Sequence, residues 1–185
     1  APQAPPPQPQ APAGQQQATA ATSAAPAAAD DEAETHSVGS IIQNLLRLYP
    51  AAASTADSDN RLPLHVLASA SETWDADAEA VLSAYAAAGR ARTGRARDSR
   101  LPLHLACVNA RARPPLLRRL IDAHPRGPSQ ADGKGKLPLH LACETGREWE
   151  GSGGTKLVYD AFPAALRQAE GNGRGWHPLH LAAAS

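Results

Sequence analysis

Apolar residues fall three and four positions apart over Ile41, Ile42, Leu45, Leu46 and Tyr49, a spacing that gathers them on one face of a helix. Pro50 follows at once, and a proline ends such a helix because it lacks an amide hydrogen and crowds the preceding turn. The same ending recurs in Leu120-Ile121-Asp122-Ala123-His124-Pro125 and Val158-Tyr159-Asp160-Ala161-Phe162-Pro163, and in Val81-Leu82-Ser83-Ala84-Tyr85-Ala86 with the proline lost. Between these stretches stands a second pattern. The heptapeptide Leu-Pro-Leu-His-Leu-Ala-Cys occurs at 101–107 and 137–143, with degenerate copies at 62–68 and 177–183. Its prolines, Pro63, Pro102, Pro138 and Pro178, predict four helix starts, where a missing amide hydrogen costs nothing.

The motif histidines His65, His104, His140 and His180 are 39, 36 and 40 residues apart, so the chain reads as one repeated unit with insertions of different lengths. The loops 111–113 and 146–154 are the expected places for those insertions. Five residues before the motif sits Asp57, Asp132 or Asn172, and two before it sits Asn60, Gly135 or Gly175. Such pairs suit a type I β-turn, since a short polar side chain bonds the turn backbone and Gly or Asn tolerates positive φ. The copy at 101 lacks both, having Ala96 and Ser99.

Over residues 40–185 the chain resembles the ankyrin repeat family, whose signature Thr-Pro-Leu-His-x-Ala stands here as Leu-Pro-Leu-His-Leu-Ala. The resemblance implies an all-α solenoid of helix-turn-helix repeats with β-turn tips. Residues 1–35 then form a disordered leader, and 36–185 a partial first repeat, three longer repeats and a truncated last one. In that family the residue before the motif and the turn tips line a concave binding surface. Here those positions are Arg61, Arg100, Lys136 and Trp176, flanked by Asp59, Asp98, Lys134 and Arg174. Three cations and a tryptophan in one column suit an acidic or amphipathic segment of a protein partner. One departure has a physical consequence. Leucine, or histidine at His177, replaces the family's threonine, so the hydroxyl cap is missing and packing is expected to hold each helix start.

Composition narrows the function classes. Residues 1–29 hold 12 Ala, 7 Pro and 6 Gln and no charge, too little apolar surface to offset the entropy of ordering. Trp74 and Trp149, each in an acidic loop, are alternative anchors for a partner. The 18 basic and 18 acidic residues cancel, yet nine arginines lie within 90–119 against the single Asp98. That stretch carries the alternative reading, a nucleic-acid-associated protein, although aromatic residues for base stacking are missing from it. Motif histidines spaced by packed helices stand roughly 10 Å apart, too far to share a metal ion whose ligands sit at about 2 Å. Each imidazole is instead expected to tie its helix start to a neighbouring backbone group. No nucleophile elbow, phosphate loop, dinucleotide fingerprint or zinc-hydrolase motif occurs, so the expected function is non-catalytic, without cofactor.

Cys107 and Cys143 occupy the same motif position, and helix spacing leaves them too distant for a disulfide. Reduced cysteines fit an intracellular protein, cytoplasmic or nuclear, with a processed organellar protein as another origin. No run of 18 apolar residues predicts a membrane span. The chain has no methionine and stops partway through a repeat, as expected of a processed chain or of a piece of a longer protein.

Overall fold

Every copy of the Leu-Pro-Leu-His motif starts a helix in the computed structural model, which describes residues 40–94 and 98–185. Residues 1–39, which include the 1–35 leader and His36, together with Arg95, Ala96 and Arg97, lie outside the described residues. The motif helices are α2 (Pro63–Ala70), α4 (Pro102–Val108), α6 (Pro138–Glu144) and α8 (Pro178–Ala182). Alternating with them are α1 (Ile41–Leu48), α3 (Ala76–Ala84), α5 (Pro114–Ala123) and α7 (Thr155–Ala161). The described residues are all-helical and contain no strand. None of these helices is long and apolar enough to cross a membrane.

Packing follows the two sequence patterns. Motif helices pack on motif helices, α2 on α4, α4 on α6 and α6 on α8, while α1 packs on α3 and α5 on α7. Leu64, Leu103, Leu116, Leu117, Leu120, Leu139 and Leu141 are buried between them. A fully buried leucine contributes roughly 1.5–3 kcal/mol, so this set supplies much of the driving force.

The motif's helix start is held by its histidine rather than by packing alone. Leu62, Leu101 and Leu137 are extended residues ahead of the helix, and their N–H groups donate to Nδ1 of His65, His104 and His140, each at 3.1 Å. Each imidazole thereby takes the part that the third-position side chain plays in a capping box, satisfying the N–H of the residue that precedes the helix. With Nδ1 accepting, Nε2 carries the proton. It donates to the carbonyls of Ala91, Gln130 and Gln168 at 3.0, 3.0 and 2.9 Å, on the segment that follows the second helix. Each buried imidazole therefore fastens the start of one helix to the exit of the next. His180 makes the first bond, from the His177 N–H, at 3.1 Å.

Second helices also end alike. Tyr49, Tyr85, His124 and Phe162 all adopt φ between −142° and −153° with ψ near 80°. A 3₁₀ turn begins straight after three of them, at Pro50, Ala86 and Pro163. Ala86 shows that the aromatic, not the proline, is the constant part of this exit.

Insertions lie mainly in the turns between repeats. The turns close through backbone bonds from Asp57 to Arg61, Thr93 to Arg100, Asp132 to Lys136 and Glu170 to Trp176. Between them, 61 to 93 and 100 to 132 both span 32 residues, and 136 to 170 spans 34. The two extra residues fall in the helix connection that includes 146–154, as expected, whereas 111–113 holds no insertion. Uneven histidine spacing comes chiefly from the longer turns at 93–100 and 170–176.

Candidate interaction surface

The eight sequence-predicted residues all sit on these four turns, two to a turn. Asp57 and Asp132 organise theirs identically. In each, Oδ1 accepts the N–H groups two and four residues on, at 2.8–2.9 Å. Asn60 and Gly135 then take positive φ, 56° and 73°, a conformation that Gly and Asn accept more readily than other residues. At 93–100 a hydroxyl replaces the carboxylate. Thr93 Oγ1 accepts the Arg100 N–H at 3.0 Å and donates to the Asp98 carbonyl at 2.6 Å. At 170–176 the backbone closes at Glu170, while Asn172 Oδ1 accepts the Arg174 N–H at 3.1 Å.

The cations of the column are engaged inside the molecule, and in a pattern. Arg100 Nε reaches Asp132 Oδ2 at 3.3 Å, so the residue before one motif pairs with the acid opening the next turn. Lys136 repeats this with Glu170 at 3.5 Å and adds Glu144 at 2.6 Å. The Lys136 side chain is only 10% exposed and that of Glu170 1%. Lys136 thus joins two turns rather than facing solvent. Arg61 differs, because Thr93 stands where the acid would be. It turns back to Asp57 at 2.9 Å and Asp59 at 3.6 Å, with 46% of its side chain exposed. In the last turn the exposed Arg174 lies 5.2 Å from the ring of the half-buried Trp176. Lys134 bridges to Asp98 at 3.2 Å across two turns.

The arginine-rich stretch is partly spent in the same way. Arg92 donates to the carbonyls of Ser99 and Ala131 and to Gln130 Oε1, at 2.9–3.0 Å. Arg119 grips Glu79 with Nε at 2.9 Å and Nη2 at 2.7 Å, and lies over Trp74 at 5.7 Å. These bonds, with one from the Trp74 indole, hold the Glu79 carboxyl down at about 2. Arg90, Arg111 and Arg118 remain exposed, and Arg113 meets Glu72 only at 3.9 Å. Trp74 is therefore a half-buried packing residue. Trp149 stays 46% exposed, its ring centroid 5.3 Å from that of Tyr159.

Burial governs the remaining titratable groups. It pushes His65, His104 and His140 below the ordinary imidazole value, His104 to about 4, so they are neutral in both of their bonds. Cys107 is pushed up to about 12 by burial, which removes its thiolate, and Cys107 and Cys143 are both free thiols. Among the described residues no group of three or more His, Cys, Asp or Glu is placed to hold a metal ion.

Three structural contributors escape a reading by motif. Glu170 is hidden because the register counted back from the motif points to Asn172. Arg92 works through carbonyls 7 and 39 residues away. Arg147 donates to the carbonyls of Asn109, Ala112 and Gly153, clamping the α4–α5 connection to the α6–α7 connection. Only the glutamate had a usable signal: aligning the ends of the second helices instead of the motifs brings it into register with Asp132. No protein-family model matches the chain, and no curated protein matches it.

Proposed function

We propose that the chain is an ankyrin-type repeat solenoid with β-turn tips, acting as a non-catalytic protein–protein interaction module. It serves as an adaptor or as a structural subunit of a larger assembly. One observation carries the reading: the two-ended histidine bond recurs in three successive units with the same atoms at 2.9–3.1 Å. Helices fastened this way present their turns as a preorganised row, so a partner pays little ordering entropy on docking. The outward groups on that row are Asp59, Arg61, Asp98, Lys134, Arg174 and Trp176, with Arg100 and Lys136 joining the turns beneath them. Its occupant is an acidic or amphipathic segment of a protein, with Trp176 as the aromatic anchor.

An intracellular site, cytoplasmic or nuclear, suits the free thiols. Gentle native purification followed by intact-complex mass measurement tests the function. A partner in fixed stoichiometry, released by Trp176→Ala together with Arg174→Glu, is the expected result. A mass equal to this polypeptide alone, or a complex indifferent to both substitutions, overturns it.

A further inference from the structure

Beyond the turn row, we propose that a second copy of this chain docks its α7 and α8 on the α1–α2 face, so that α8 of one copy and α1 of the next complete one unit between them. The internal units show what such a unit needs. In each, a motif helix and the second helix after it share one core, and the motif histidine bonds the carbonyl that ends the 3₁₀ turn beyond that second helix, Ala91, Gln130 or Gln168. Thr55 ends the turn after α1 in the same extended conformation, as far past Tyr49 as Ala91 is past Tyr85. Its carbonyl accepts no hydrogen bond from the described residues. His180 bonds only through Nδ1, and its Nε2 meets no acceptor among them.

Side-chain exposure marks the same two half-units. Leu179 is 77% exposed, although its counterparts Leu64, Leu103 and Leu139 are at most 2% exposed. Leu45 is 56% exposed, although Val81, Leu120 and Val158, which hold the same place before their helix exits, are at most 2% exposed. Each of these two leucines is a residue that the other half of a unit buries. Beside Leu45 lies a groove of about 320 Å³, lined only by apolar residues, among them Ile42 and Leu46 of α1 and Pro63, Val66 and Leu67 of α2. Residues 1–39 contain no copy of the motif and no Leu, Ile or Phe, so the motif helix that fits this groove is not encoded in them. The second copy's α8 is such a helix. It takes its place on α2 as α2 does on α4, while α7 meets α1 as α5 meets α7, and burial of the two leucines favours the contact. Unlike faces meet, so the contact repeats from copy to copy in an open row or closes into a ring.

Sedimentation velocity of the full chain over a range of concentrations tests this, with single substitutions at the two exposed leucines. The mean mass of the unaltered chain should rise with concentration. Leu45→Glu and Leu179→Glu should each weaken association by about tenfold or more, because each buries an unpaired charge in the contact, and both should keep the helical circular dichroism signal. Mixing the two variants is the decisive arm. Each retains one sound face, so an equimolar mixture should form a heterodimer that grows no further. Association that does not recover in the mixture means that like faces meet, and it would overturn the proposal. A chain that stays monomeric at every concentration, as it does if a helix of another protein fills the groove, would overturn it too. That second outcome leaves the interaction module standing, since its partner is a different protein held at the turns.

Discussion

The bodies of the repeats and the turns that join them obey different rules. From one turn to the next the body keeps 32 or 34 residues, the same histidine bonds and the same aromatic exit. The turns span four, seven, four and six residue steps between their closing partners, and they open with Asp, Thr, Asp and Glu. A buried imidazole with both nitrogens used fixes the two ends it joins, and the one change of length between them, two residues in the third unit, falls in the connection between α6 and α7. A turn that projects into solvent can lengthen or swap its opening residue at little cost, because water satisfies the backbone that the insertion adds. Rigidity and variety are thereby separated, as the proposed interaction module requires.

Acid should damage the body more than the turns. The folded histidines titrate below 6.5, so their stabilisation is complete above that pH and is lost as pH falls below it, for His104 down to about 4. His104, shifted from 6.5 to about 4, accounts for about 3 kcal/mol, and His65 and His140 add to it. Urea denaturation at pH 7.5, 5.5 and 4.5 should show a falling midpoint over this window. Glu79 adds its loss only below its ordinary value, between pH 4.5 and about 2.

Substituting His104→Leu breaks the body at one place. It strands the Leu101 N–H and the Gln130 carbonyl, and two buried unsatisfied groups cost about 4 kcal/mol together. Chemical denaturation at pH 7.5 measures that loss. Next in size is Lys136→Ala, which leaves the Glu170 carboxylate buried without its cation and should cost about 3 kcal/mol. Glu170→Gln in the same chain should recover part of it. The smallest effect belongs to Arg61→Ala, expected within about 0.5 kcal/mol because its partners are exposed aspartates. Equal losses at Arg61 and Lys136 would erase the distinction between an exposed and a buried ion pair.

How much of this was legible in the sequence depends on distance along the chain. His104 could be assigned a structural bond from its place in the motif, since its first partner is three residues away and its geometry repeats. The helix starts at Pro63, Pro102, Pro138 and Pro178 were equally plain. Lys136 was placed on a binding column, yet its burial depends on Glu170, 34 residues on and displaced by a turn insertion. Arg92 and Arg147 act on backbone carbonyls, which every residue possesses, so no side-chain pattern marks their acceptors. Local bonds write themselves into spacing; contacts between repeats do so only when insertions are absent.

Hydrogen–deuterium exchange of the chain alone and bound to its co-purified partner tests the central claim most directly. Protection gained on binding should concentrate in the turns 57–61, 93–100 and 170–176, with the bodies slow to exchange in both states. Protection confined to α5, α7 and the loop carrying Trp149, with the turns unchanged, would contradict the account.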